Sequence, residues 1–232
     1  QHLIDTLPNL TGTLLSDGYS AYSAYVNRCD DIEHAQCWVH ARREFVRAEK
    51  AEPEAVAEAY DLIGALYEVE KHIREHDLRG EAKRAYRQNH ARPAVDAFFT
   101  WCETQVQRMD LAPSDPFSKA LKYARKRHKA LRVYLDNPDV AIDTNHLERT
   151  LRVIPMGRKS WLFCWTEVGA QLVGIVQSLL TTCRLHGINP SVYLTDVLQR
   201  VSEHPASRVE ELTPRLWKGL FADNPMRSDL DR

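Results

Sequence analysis

Two carboxylates and one imidazole occupy positions from which they could act on a phosphate. Asp17 follows the apolar run 10–16 and precedes Gly18, Glu148 lies within Asp143-Thr144-Asn145-His146-Leu147-Glu148-Arg149, and His40 closes Cys37-Trp38-Val39-His40. Hard cations such as Mg2+ (or Mn2+) take oxygen ligands and keep several waters, so one or two carboxylates plus substrate phosphates suffice to hold each ion. A pair of such ions activates the attacking oxygen and stabilises the leaving oxygen of an in-line phosphoryl displacement. With Asp143 as cap, Asn145, Glu148, Arg149 and Arg152 fall at i, i+3, i+4 and i+7 on one helix face, while Leu147, Leu151 and Ile154 line the other. Arg149, Arg152, Arg158 and Lys159 suit phosphate recognition, guanidinium as a paired donor fork and ammonium as a point charge. Trp161 and Trp165 suit stacking on an unpaired base.

Each of these residues also has a plainer use. An Asp before Gly is commonly a turn residue or helix cap. Glu148 can pair with Arg149 or Arg152 on a solvated face at little energetic gain. The same cations can complement a helix C-terminus, and the tryptophans can be core. Cys37-x-x-His40 and Cys183-x-x-His186 share one spacing, so a Cys2His2 zinc site is conceivable, although the separation of the pairs is unlike that of a zinc finger. A packed thiol beside a hydrogen-bonded imidazole is the alternative.

Chemistry of this kind needs elements to hold it. Residues 10–16 read as a strand ending at Asp17-Gly18, Tyr19, Tyr22 and Tyr25 follow at helical spacing, residues 32–38 read as a second buried strand, and the pattern turns helical after Val39. From 53 to 137 every segment reads as amphipathic helix: 55–75, 81–90, 93–109 and 117–135, with breaks at Gly80, Pro93 and Pro113-Ser114-Asp115-Pro116. In the last of these, Leu121, Ala124, His128, Leu131 and Leu135 form the packing stripe, and Lys119, Lys122, Arg125, Lys126, Arg127, Lys129 and Arg132 form a cationic face fit for a phosphate backbone. Pro155 and Gly157 end the Glu148 helix, after which alternating Trp161, Phe163 and Trp165 read as a strand or hairpin. Helices over 168–186 and 190–202 precede a polar tail anchored by Trp217 and Phe221.

A chain of 232 residues, 44% hydrophobic, can bury a sizeable core. Its 31 basic residues nearly cancel 32 acidic ones, so a polyanion must be held by local patches rather than by the overall field. Five scattered cysteines, an odd number, argue for reduced thiols in a cytoplasmic setting rather than a disulfide framework. No apolar run of bilayer-spanning length and no signal peptide are read, which implies no membrane partner. The chain opens on Gln1, with an extended apolar segment close behind, as expected of a chain that starts inside a domain.

Asp17-Gly18-Tyr19-Ser20-Ala21-Tyr22, Cys37-Trp38-Val39-His40-Ala41-Arg42-Arg43-Glu44-Phe45, Asp143-x-Asn145-x-x-Glu148-Arg149, Gly157-Arg158-Lys159-Ser160-Trp161-Leu162-Phe163 and Asn189-Pro190-x-x-Tyr193-Leu194 together resemble the insertion sequence 66 family of bacterial transposases. The resemblance runs in order over nearly the whole chain. It implies a DDE transposase with an α/β ribonuclease-H-like fold, predominantly helical overall because an all-helical block splits the core. On that basis residues 1–50 hold the second half of the core, 51–137 the helical insertion, 138–190 the completion of the core and 191–232 a C-terminal helix and tail. Asp17 is then the second Asp and Glu148 the Glu that hold Mg2+ (or Mn2+), with His40 beside them. DNA, as transposon ends and target, is the implied partner, and a homo-oligomer is compatible with it. The first catalytic Asp has no match among residues 1–16, since Asp5 sits in a polar turn before Pro8, so the chain reads as the C-terminal part of a transposase, inactive or impaired alone. The alternative is a DNA-binding or regulatory remnant.

Overall fold

A computed structural model of the chain describes residues 10–157, 160–161 and 164–228. It is mostly helical with one small sheet, and it divides into two compact units, 1–148 and 149–232.

The first unit opens with β1 (Gly12–Ser16), α1 (Ser20–Val26) and β2 (Ile32–Gln36), and the strands pair in parallel from Gly12 opposite Ile32 to Ser16 opposite Gln36. Parallel strands need a crossover, and the tyrosine-bearing α1 provides it. β2 stops two residues earlier than its pattern suggests, because Trp38 turns its N–H to the Ile142 carbonyl and opens α2 (Trp38–Ala48). Along α2, Trp38, Ala41, Phe45 and Ala48 are buried at helical spacing, which leaves His40 and Arg43 on the opposite face.

α3 (Pro53–Glu75) and α4 (Gly80–Tyr86) follow. Pro93 does not break the chain here: α4 runs through a π turn (Arg87–Ala91) into α5 (Arg92–Val106), whose first turn takes the proline, where a missing N–H costs nothing. α6 (Pro116–Lys126) is capped by the Asp115 carboxylate, which accepts from the Phe117 N–H at 2.7 Å. The single helix expected over 117–135 is instead split into α6, a run of turns, and the short α7 (Val133–Asp136). No breaker residue lies between them; the Ala130 carbonyl accepts from Gln36 N–H and the Leu131 carbonyl from Trp38 Nε1–H, so tertiary bonds to β2 and α2 replace helical ones. Leu121, Ala124, Leu131 and Leu135 are buried as expected, but His128 is exposed, set edge-on to Phe99.

The core gathers between α2 and the helices α3, α5 and α6 around Trp38, Phe45, Phe98 and Phe117, with edge-to-face contacts such as Trp38–Phe98 at 5.2 Å. Beside it Arg87, fully buried, binds Glu70 in a two-pronged pair at 2.7 and 2.9 Å and donates Nη1–H bonds to the carbonyls of Tyr134, Asn137 and Val140.

α8 (Asn145–Leu151) and α9 (Val153–Gly157) replace the single Glu148 helix that was expected. Pro155 cannot donate to the Leu151 carbonyl and its ring crowds that turn, so the break falls at Arg152, ahead of the proline. Leu147 and Leu151, expected to pack, are about half exposed, at 49% and 51%. The aromatic strand is not formed at the described residues: the N–H groups of Ser160 and Trp161 both return to the Gly157 carbonyl, a turn rather than a ladder. Phe163, Arg158, Lys159 and Asp5 lie outside the described residues.

In the second unit, α10 (Glu167–Leu185), α11 (Pro190–Arg200), a 3-10 turn (Ala206–Leu212) and α12 (Pro214–Leu220) enclose a small cluster of Cys183, Ile188, Tyr193 and Trp217. Trp217 anchors the tail as expected, and Phe221 packs against the cluster. The Asp196 carboxylate, fully buried, accepts from Arg200, Trp217 Nε1–H and Met226 N–H. One expectation is corrected here. α10 has 19 residues and a mean hydropathy of 1.2, enough by length and composition alone to cross a bilayer, although Gln171, Gln177, Ser178, Thr181 and Thr182 interrupt its apolar surface.

Removing one partner of a buried ion pair strands the other charge, so Arg87→Met should lower stability by about 3–5 kcal/mol, and Arg87→Met with Glu70→Met should recover much of it, as read by urea unfolding. Burial alone would raise the Asp196 carboxyl, but the bonds from Arg200, Met226 and Trp217 hold it below the usual range. Its folded value lies under its unfolded one, so its stabilisation is complete above the ordinary carboxylate range and drains away as pH falls through the depressed folded value. The thermal midpoint should therefore drop below about pH 4 in the native chain and flatten in Asp196→Asn, measured by circular dichroism against pH.

Candidate functional site

Open α/β sheets present their ligand sites beyond the carboxyl ends of parallel strands. Ser16 and Gln36 end the two strands side by side, so Asp17 and Cys37 leave the sheet together. The Cys37 N–H donates to the Ser16 carbonyl at 3.1 Å, adding one bond to the ladder.

Asp17 is exposed and does serve as a turn residue: its Oδ1 accepts the Tyr19 N–H at 2.9 Å. Among the described residues Oδ2 makes no hydrogen bond. The turn is shaped from outside by α6 and the residue after it. Tyr123 Oη–H donates to the Asp17 carbonyl at 3.3 Å and Arg127 Nη2–H to the Gly18 carbonyl at 3.2 Å, with the Arg127 guanidinium over the Tyr123 ring. Gly18 has φ +87°, and a Cβ there would overlap the Tyr123 hydroxyl. Behind the turn, Ser16 Oγ and His34 Nε2 are 2.8 Å apart; burial, then the Arg127 charge, holds His34 below its ordinary value.

Glu148 meets α2. Its Oε1 is 3.6 Å from His40 Nε2 and its Oε2 is 3.9 Å from Arg43 Nη2, so its ionic partners come from the His40 helix rather than from the expected Arg149 or Arg152. The Glu148 side chain stays 43% exposed while His40 is largely covered, and His40 Nδ1 is buried with no hydrogen-bond partner. Thr144 joins Glu148 to the sheet: its N–H donates to Cys37 Sγ at 3.3 Å and its hydroxyl reaches Glu148 Oε1 at 3.1 Å. A continuous path of bonds thus runs from Ser16, the neighbour of Asp17, through Cys37 and Thr144 to Glu148.

The other predicted residues divide. Asn145 turns inward, its Nδ2–H donating to Asp143 Oδ2 at 2.8 Å while Asp143 Oδ1 caps the Asn145 N–H. Arg149 and Arg152 are exposed, and Trp161 is half-buried against Gly157. Lys122, Lys126 and Lys129 are exposed, but Arg125 is committed to Glu103 at 2.8 Å and Lys129 sits past the end of α6, so the cationic face is not one helix stripe. Cys37 is engaged with Thr144, and Cys183 is packed in the apolar cluster, where burial pushes its thiol up. Arg43, Thr144 and Tyr123 were not singled out from sequence, whereas Arg127, expected on the cationic face of 117–135, turns instead to the Gly18 carbonyl. Arg43 could have been, at i+3 from His40. Thr144 and Tyr123 had no local signal.

Among the described residues no three His, Cys, Asp or Glu side chains gather closely enough to cage a metal unaided. Two separate exposed carboxylates are a donor set that suits a hard divalent cation completed by water and phosphate, and they do not suit zinc.

Residues 1–172 match the Transposase IS66 family, and residues 178–215 match the IS66 C-terminal element. The chain belongs to the IS66 transposase family. The larger match is a DDE transposase domain, a class that is typically metal-dependent. Similar proteins include Uncharacterized protein y4hP of Sinorhizobium fredii, 30% identical over 97% of this chain and 43% of its own length, and Uncharacterized protein y4qI of the same organism, 30% identical over 91% and 40%. The chain therefore spans less than half the length of these curated relatives. No solved structure matches it.

Gly18→Ala should cost about 1–3 kcal/mol, from the positive φ and the overlap with Tyr123, and adding Tyr123→Phe should return the steric part, as read by chemical unfolding of the single and double variants.

Proposed function

We propose that this IS66-family chain carries the second Asp and the Glu of a DDE transposase active site, Asp17 and Glu148, on a ribonuclease-H-like core split by the helices between 53 and 136. The observation that supports the reading is the bonded path from Ser16 through Cys37 and Thr144 to Glu148, which ties the Glu148 side chain to the strand end that Asp17 follows. β1 pairs on one side only among the described residues, which suits a sheet that takes a further strand there. A first Asp from such a strand would complete the site.

Asp17 and Glu148 would hold Mg2+ or Mn2+, which supplies charge stabilisation at the attacking and leaving oxygens. The chain's own groups do the rest. His40 and Arg43 steady the Glu148 carboxylate. Arg149, Arg152, Arg158 and Lys159 would serve as phosphate contacts, as would Lys122, Lys126 and Lys129 with Arg125 only in part, and Trp161 would offer a ring to an unpaired base. Asn145 acts through Asp143, as part of the cap of α8. The setting is bacterial DNA, in the cytoplasm.

Cleavage and strand transfer on DNA bearing transposon ends, with the upstream part of the transposase supplied, test the reading. Asp17→Asn and Glu148→Gln should each lower the rate on the order of a hundredfold or more, with DNA affinity little changed. Undiminished cleavage by Glu148→Gln would sink it. Salt-dependent binding with no cleavage under any condition would favour a regulatory remnant. In the binding arm, Arg152→Ala or Lys126→Ala should each reduce the slope of log affinity against log salt by about 1.

A further inference from the structure

In the structure Thr144, not the expected Asp143, directly precedes α8 and so takes the N-cap position, where a threonine hydroxyl ordinarily accepts a backbone N–H of the first turn. Thr144 does not do this. The Asp143 carboxylate takes the Asn145 N–H instead, and the Thr144 hydroxyl points at two other groups, Glu148 Oε1 at 3.1 Å and Cys37 Sγ at 3.4 Å. Thr144 and Cys37 are both buried, so the contact between them is made away from solvent, and through it the part-exposed Glu148 carboxylate is tied to the interior.

We propose that Thr144, backed by the Cys37 thiol, is a positioning residue that fixes the Glu148 carboxylate with one oxygen held and the other free for a divalent cation. The proposal rests on the reading of Glu148 as a metal ligand. Donor bookkeeping decides the direction of the bonds. A hydroxyl owns one proton and an ionised carboxylate can only accept, so that proton goes to Glu148 Oε1. The thiol keeps its own proton and gives it to the Thr144 oxygen, while its sulfur accepts the Thr144 N–H at 3.3 Å. Every group in the relay is then satisfied, and Cys37 has a use that needs neither zinc nor redox chemistry. Oε1 is also the oxygen that faces His40, whereas Oε2 has only Arg43, at 3.9 Å. The open oxygen is Oε2.

Supporting groups behind a metal ligand typically contribute tenfold or more to affinity. Mn2+ binding to the purified chain, followed by the electron paramagnetic resonance signal of free Mn2+, reads this without catalysis. Thr144→Val, which keeps the shape and removes the hydroxyl, should weaken binding about tenfold, and Thr144→Ser should restore it. Cys37→Ala should fall between them and Cys37→Ser close to the native chain. Thermal midpoints of the Val and Ser variants separate unfolding from positioning: weakening that tracks a lost midpoint in both overturns the proposal. If Glu148→Gln weakens Mn2+ binding and Thr144→Val does not, the positioning role is wrong while the metal reading stands. If Glu148→Gln binds Mn2+ as well as the native chain, the metal reading fails and the positioning role with it.

Discussion

A guanidinium placed in a protein interior has to have its charge and its five donors answered, because the effective penalty for an unanswered buried ion is several kcal/mol. Arg87 meets most of that requirement: Nε–H and one Nη2–H go to the Glu70 carboxylate, and the two Nη1–H groups are shared among three main-chain carbonyls between 134 and 140. Those carbonyls lie at and beyond the end of α7, where helical bonding runs out and irregular chain would otherwise need water. By collecting them, Arg87 fixes the path of the segment that leads to Ile142, Asp143 and Thr144. Ile142 then docks on the Trp38 N–H and Thr144 on Cys37. The position of Glu148 is thus set two steps away, by an ion pair that does not touch it.

The same dependence explains why the helices between 53 and 136 cannot be regarded as an appendage to the strands. They bury the apolar face of α2, and in doing so they orient its other face, which carries His40 and Arg43. They return Ala130 and Leu131 to the edge of the sheet, and Tyr123 and Arg127 to the Asp17-Gly18 turn. Both acids are therefore placed by contacts from the helical block as much as by the strands that precede them.

What could be read from the sequence follows from the range of the forces involved. The two strands, the tyrosine helix, α3, α10 and α11 follow from local periodicity and caps, and they stand close to where the pattern puts them. Asp17, His40 and Glu148 could be singled out as candidates because a strand end, a Cys-x-x-His pair and a helix face are short-range signals. The interruption of 117–135 was not, since Arg127 to Arg132 are helix-compatible residues and the break is imposed by β2 and Trp38. Pro93 misled in the opposite direction: a π turn absorbed it, and that same turn begins with Arg87. A residue placed by long-range bonding, such as Tyr123 or Thr144, leaves no local mark.

Glu148 also shows how one carboxylate can serve two ends. With His40 and Arg43 at 3.6 and 3.9 Å, it is held by contacts too long for tight hydrogen bonds, on a side chain that remains partly solvated. Such ion pairs contribute little to stability, about 0–1 kcal/mol each. They are correspondingly inexpensive to rearrange. A carboxylate locked in a short bidentate pair, as Glu70 is with Arg87, would have to break that pair before it could bind anything else. Glu148 instead has one hydrogen bond, from Thr144 at 3.1 Å, and two looser neighbours, His40 and Arg43, an arrangement that leaves room for a cation to approach it. The contrast between the two glutamates, one closed and buried, one held at one oxygen and partly solvated, is the physical ground on which the proposal for Glu148 rests.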